Sequence, residues 1–239
     1  MKFLLTNDDG IDAPGLRALY EAASALGEAV VIAPAEHLSG CSHQVTTSRP
    51  IRTERHGPAR FAVHGTPADC VRVGLHGLAA GAEWILSGIN AGGNLGADIH
   101  HSGTVAAVRE GVLHGLPGIA VSHYHKRGQA IDWDRAAAWV LPVLRALLGR
   151  PLPAGSFWNI NLPHLGPGEG PPEVVYCAVD PAPLPLSFRL DGDLFHYDGD
   201  YHQRRRMPGG DVDVCFGGRI AVSRVALFWC GRKSTFHGE

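Results

Sequence analysis

No stretch of the chain approaches the roughly 18 consecutive apolar residues that a membrane-crossing helix requires, so no bilayer span is predicted. Excess basic charge is missing too. The 21 Lys and Arg stand against 23 Asp and Glu, a formal charge of −2, which gives no broad grip on a nucleic-acid duplex. Five cysteines (Cys41, Cys70, Cys177, Cys215 and Cys230) are scattered, odd in number and without CxxC spacing. They predict neither a zinc site nor a disulfide framework, and point to a reducing compartment. The N-terminal residues run straight into Asn7-Asp8-Asp9 with no apolar core and cleavage site of a secretory leader, so the expected location is cytoplasmic. Also absent after the first apolar run is GxGxxG. Asn7-Asp8-Asp9-Gly10 stands there instead, and its carboxylates would repel a pyrophosphate lacking a cation, which argues against a nicotinamide dehydrogenase.

What the 239 residues do contain is enough apolar material, 45%, to bury a sizeable core. Apolar runs at 2–6, 29–33, 61–63, 83–87, 118–122 and 157–162 alternate with helical patterns beginning at Pro14, Pro67, near Gly103 and at Asp132. This alternation predicts an α/β fold whose mainly parallel sheet is covered by helices on both faces. From about Gly166 prolines and glycines cluster and helical periodicity stops. Residues 1–165 are therefore expected to form the α/β catalytic domain and 166–239 a β-rich C-terminal region. In that region a hairpin is expected at Phe195–Asp198 with Gly199-Asp200, and late strands at Val212–Phe216 and Arg219–Phe228.

Four features with chemical potential fall at one expected edge of the sheet, beyond the carboxyl ends of its strands, where ligand crevices of open α/β sheets lie. Asp8 and Asp9 repel each other unless a cation lies beside them, and Asp and Asn oxygens suit Mg²⁺ or Mn²⁺. The same residues also suit a plain turn. Ser39-Gly40 follows the second strand. Ser87-Gly88-Ile89-Asn90-Ala91-Gly92-Gly93-Asn94-Leu95-Gly96 reads either as a ligand-cradling loop or as a tight strand-to-helix turn. Ser102-Gly103-Thr104 reads either as an anion site at a helix N-terminus or as a simple cap. Together they supply carboxylates for a cation, and glycines, hydroxyls and amides for a phosphate.

These residues resemble the SurE survival-protein family of metal-dependent nucleoside monophosphate phosphatases. The resemblance rests on Thr6-Asn7-Asp8-Asp9-Gly10-Ile11 with Ala13-Pro14-Gly15, Ala33-Pro34 leading to Ser39-Gly40, Gly65-Thr66-Pro67-Ala68-Asp69-Cys70, Ser87-Gly88-Ile89-Asn90-Ala91-Gly92 with Asn94-Leu95-Gly96, and Ser102-Gly103-Thr104-Val105-Ala106-Ala107. It is dense over about residues 1–125 and looser beyond. It implies a Rossmann-like domain with a β-rich part that mediates homodimers or homotetramers. It also implies one divalent cation, Mg²⁺ or Mn²⁺, bound by Asp8, Asp9, Ser39 and Asn90. Asn94, Ser102, Gly103 and Thr104 would line the phosphate pocket for a small-molecule nucleotide, with Asp8 and Asp9 as the catalytic carboxylates. The implied activity is 5′-nucleotidase and, by extension, 3′-nucleotidase hydrolysis; a non-catalytic nucleotide- or metal-binding module on the same scaffold is the alternative. Such a cation would polarise the phosphoryl group and a water for in-line displacement. Cys41, His43 and His101 depart from the residues that members commonly carry. Arg204-Arg205-Arg206, the one charge run, reads as an exposed loop or a phosphate contact; Trp84, Trp133, Trp139 and Trp158 read as core, and Trp229 as a candidate interface residue.

Overall fold

Strand β1 (Lys2–Thr6) is buried from Phe3 onward, with Phe3 and Leu5 facing one way and Leu4 the other, so helices must cover both faces. In the computed structural model, which describes residues 1–227, they do. Helix α1 (Pro14–Ser24) and helix α5 (Trp133–Leu148) pack Leu16, Leu19, Trp139, Val140 and Leu144 against Phe3, Leu5, Leu86 and Val121. Helix α2 (Pro67–Val73), extended by a π-helical turn over Gly74–Leu78, and helix α4 (Gly103–Leu113) pack Val71, Val105, Val108 and Val112 against Leu4, Ile32 and Ile85. Pro14 opens α1, and Asp132 caps α5 by accepting a hydrogen bond from the Arg135 amide at 3.0 Å.

The other strands are β2 (Glu28–Pro34), β3 (Thr53–Gly57), β4 (Arg60–Val63), β5 (Trp84–Ala91), β6 (Gly118–His123), β7 (Ser156–Leu162), β8 (Val174–Tyr176), β9 (Phe188–Asp191), β10 (Leu194–Tyr197) and β11 (Ile220–Ala226). Nine form one sheet in the order β3-β4-β2-β1-β5-β6-β7-β11-β8. From β4 to β7 the strands are parallel; β3 pairs antiparallel with β4, and β11 antiparallel with β7. The expected mainly parallel sheet with helices on both faces is thus present. The strand order reverses direction between β1 and β5, so the crevice predicted for open sheets lies where Asp8, Asp9 and Asn90 emerge.

Several expectations need correction. Ser87 to Ala91 is strand: β5 continues through Asn90, with an irregularity of register against β6 between Ser87 and Asn90. The hairpin of the C-terminal region is β9–β10, which turns at Gly192 (φ +59°) rather than at Gly199. There Asp191-Gly192 supplies the left-handed residue a tight turn needs. Val212–Phe216 is not a strand but most of helix α6 (Asp211–Phe216). Its β-branched residues fill a small third core with Leu95 and Tyr124, and tertiary packing overrides strand propensity there. Residues 166 onward also add β8 and β11 to the main sheet. Trp84 and Trp133 are partly buried and Trp139 and Trp158 buried, as read from the sequence. Trp229, Phe228 and Cys230 lie outside the described residues. Among the described residues no helix is long and apolar enough to cross a membrane.

Candidate active site

Asp8 and Asp9 follow β1 at the point of reversal. Asp8 is buried, 4% exposed, and its carboxylate accepts a very short hydrogen bond from the Thr104 hydroxyl. Gly103 makes this approach possible: a Cβ there would lie 2.8 Å from Asp8 Oδ2 and 2.9 Å from Asp8 Cβ, so only glycine lets α4 begin against the carboxylate. Burial pushes the Asp8 pKa up, opposed by the Thr104 hydroxyl and reinforced by the charge of Asp9. Asp9 accepts a hydrogen bond from the Ala91 amide at 3.3 Å, and exposed His37 stands 3.4 Å from its other oxygen. Among the described residues no Lys or Arg pairs with either carboxylate.

Asn90, half-buried near the end of β5, donates its amide nitrogen to the Gly92 carbonyl at 2.9 Å, and its side-chain oxygen accepts no hydrogen bond among the described residues. Ser39 is exposed and makes no side-chain hydrogen bond, but its neighbour Leu38 donates its amide to the Asp8 carbonyl at 2.8 Å. That bond lays the 36–40 loop beside the carboxylates. Two carboxylates without a cationic partner, an amide oxygen and an adjacent hydroxyl make a hard, oxygen-only donor set that fits Mg²⁺ or Mn²⁺. The buried, unpartnered Asn7 Oδ1 next to them adds to the orphaned oxygen at this edge. Among the described residues no group of three His, Cys, Asp or Glu is placed to hold a metal, so any site here depends on the neutral oxygens as well.

The residues read as a phosphate pocket divide in two. Ser102 caps α4, its hydroxyl accepting from the Val105 amide at 3.0 Å, and the Thr104 hydroxyl is spent on Asp8. The Thr104 backbone N–H is also turned to Asp8, and the Gly103 amide is left at the positive end of an 11-residue helix, suited to an anion. Asn94 is buried, donating its amide nitrogen to Ser122 Oγ at 2.7 Å.

A network around Asn94 escaped the sequence reading. The Asn94 backbone N–H donates to Asn161 Oδ1 at 2.8 Å, and its carbonyl accepts from Asn159 and Asn161 at 2.8 and 3.0 Å. The one available signal was Asn159-Ile160-Asn161 inside an otherwise apolar run. The Gly65–Cys70 run proves to be scaffolding. Thr66 and Asp69 form a capping box at α2, and Asp69 also holds the Thr46 amide at 2.8 Å. His43 is bonded to Glu110 at 2.8 Å, and this bond, against burial, holds the Glu110 carboxyl below its usual range. His100 and His101 are exposed, and Cys41 is half-buried with burial raising its thiol pKa.

The family described as survival protein SurE matches over residues 3–178. A protein of Nostoc sp. (strain PCC 7120) is 54% identical over 227 residues, 95% of this chain and 100% of the relative. The 5′-nucleotidase SurE of Geobacter sulfurreducens is 45% identical over 232 residues, covering 95% of this chain and 88% of the relative. The crystal structure of the SurE protein from Aquifex aeolicus superposes with a TM-score of 0.84 at 30% identity, over 96% of this chain and 94% of that one. The carboxylate pair at the strand-order reversal, the helix that begins against it and these likenesses agree: the chain belongs to the SurE survival-protein family.

Proposed function

We propose that the protein is a divalent-metal-dependent phosphatase that hydrolyses nucleoside monophosphates, 5′ and also 3′, to nucleoside and phosphate. The observation that carries this reading is the direct contact of Asp8 with the start of α4. One contact joins a carboxylate pair without a Lys or Arg partner among the described residues to the positive end of a helix. The 5′-nucleotidase names of the Geobacter and Thermus thermophilus relatives support the substrate class. Asp8, Asp9, Ser39 and Asn90 are the residues to hold the cation. Bound there, Mg²⁺ or Mn²⁺ would supply Lewis-acid polarisation of the phosphoryl group and of a water. Thr104 orients Asp8 and, by donating to its charged form, opposes the rise that burial imposes on its pKa. The Gly103 amide, with Asn94, binds non-bridging oxygens and stabilises charge as it shifts in the transition state, while Thr104 lines the same pocket through Asp8.

The reading extends to the assembly. One face of the β9–β10 hairpin exposes Phe188, Leu190, Phe195 and Tyr197, each at least 49% accessible, and such an apolar face suits contact with further copies in a homodimer or homotetramer. A cytoplasmic setting agrees with the four free cysteines among the described residues.

The deciding experiment is phosphate release from a panel of 5′- and 3′-mononucleotides with Mg²⁺, Mn²⁺ or EDTA, comparing the protein with Asp8→Asn. Metal-dependent release that the variant loses is expected; release that survives EDTA, or no release at all, overturns the reading. Stability gives a second readout. Because burial raises the folded-state pKa of Asp8, its contribution is present at low pH and is lost as pH rises through that raised value. Metal-free Asp8→Asn should therefore melt higher than the metal-free parent at neutral pH.

A further inference from the structure

The Arg204-Arg205-Arg206 run is not one exposed patch. Arg205 and Arg206 are exposed, but the Arg204 side chain is 0% accessible, and a guanidinium is costly to bury unless it is paired. Its Nη1 donates to Asp98 Oδ2 at 2.9 Å and its Nη2 to the Leu95 carbonyl at 3.1 Å. The same Asp98 oxygen accepts from the Tyr201 hydroxyl at 2.6 Å and from the Leu95 amide at 3.2 Å. One residue on, the Gly96 amide donates to Asp211 at 2.8 Å. Gly96 has φ +55°, and a Cβ there would meet Arg204 Nη2 at 2.8 Å. Upstream, Asn94 is held through both its backbone N–H and its carbonyl by β7. From the Asn94 amide to the Gly96 amide, each of these backbone groups is satisfied by a side chain, most of them distant in sequence. The loop then passes through the short helix α3 (Asp98–His101) into Ser102-Gly103-Thr104.

We propose that Asp98 and Arg204 are positioning residues for phosphate binding. Their buried ion pair, with Tyr201, fixes the 94–96 backbone and the entry to α4, so that Asn94 and the Gly103 amide meet a phosphate already ordered. This inference rests on the phosphate reading above and adds the segment that enforces it. Stability alone does not account for the pair, since apolar residues of similar size commonly replace a buried ion pair without loss; what the pair contributes is one defined geometry. A prebuilt anion site gains affinity because ordering is not charged to binding.

The test measures Asp98→Asn, Arg204→Met and the milder Arg204→Lys for KM, kcat, Mn²⁺ affinity and calorimetric binding of inorganic phosphate to the Mn²⁺-loaded protein. KM and the phosphate dissociation constant should each rise about tenfold, the scale for loss of a supporting contact to a ligand-binding group. Mn²⁺ affinity should stay near that of the parent. Arg204→Lys, which keeps the charge but cannot span both Asp98 and Leu95, should fall between the parent and Arg204→Met. A merely structural role would lower the folded fraction, and so the apparent kcat, while leaving KM and phosphate affinity unchanged; that result overturns the proposal. Phosphate binding by a parent protein that hydrolyses no nucleotide would sink the nucleotidase reading while the calorimetry still decides the role of the pair.

Discussion

Between Asn94 and Gly96, side chains from β7, from Asp98 and from the 204–211 segment take up the backbone polar groups. Between Glu36 and Gly40, by contrast, the chain is mostly exposed. Its described links to the carboxylate residues are one backbone bond, Leu38 to Asp8, and the exposed His37 imidazole 3.4 Å from Asp9, and a Cβ on Gly40 would meet nothing within 4 Å. The first loop leads through α3 to the start of α4, which meets Asp8, and the second is bonded to Asp8 directly. On the 94–96 side, the partners stand in place before an anion arrives. On the Ser39 side, the proposed reading requires the hydroxyl to adjust to a cation that enters later, and the cost of that adjustment would reduce its contribution to affinity.

Changes on the two sides should differ accordingly. The largest effect is expected from Gly103→Ala, which meets Asp8 at 2.8 Å. Alanine favours a helix over glycine, so the fold should survive while kcat/KM with Mn²⁺ falls by about 10²-fold, the scale of a displaced catalytic group. A variant with unaltered kcat/KM and normal circular dichroism would show that α4 can slide away from Asp8, and the contrast would collapse. Thr104→Val removes the donor that opposes the raised Asp8 pKa. The acid limb of the kcat/KM profile should then move to higher pH, because Asp8 must lose its proton to hold a cation, and the neutral-pH rate should drop about tenfold, in line with loss of a hydrogen bond to a charged group. An unmoved limb would assign that limb to another group. Ser39→Ala should have the smallest effect, a few-fold weaker half-saturation by Mn²⁺ with kcat near that of the parent, read by metal titration of phosphate release. A loss matching that of Gly103→Ala would make Ser39 as preset as the opposite side.

The alternation of short apolar runs with helical patterns was enough to order the parallel strands and helices α1, α2, α4 and α5 as far as β7, because these strands are largely buried and the helices open on Pro, Asp or Ser; the mostly exposed, polar β3 and the four-residue α3 carry no such signal and were missed. The Asp8–Asp9 pair and the Ser102 cap were legible for the same local reason. Partners 65 to 115 residues apart were not: Asn94 with Asn159, Leu95 with Arg204 and Gly96 with Asp211 are joined only by tertiary structure. Arg204 looked like part of a solvated run because its neighbours are, and nothing local marks the one guanidinium that is buried. Val212–Phe216 misled because valine favours strands, whereas its conformation here follows from packing against Leu95 and Tyr124.

Strand β11 lies between β7 and β8, although it follows β8 by more than forty residues. During synthesis, β7, buried along its whole length, keeps one edge open until residue 226 has emerged, and β8 has no strand to pair with before then. An unpaired apolar edge invites pairing with other nascent chains. The sheet is thus completed from its interior only after the strands on either side of the gap have been made, which makes β11 the guard against aggregation of its two neighbours.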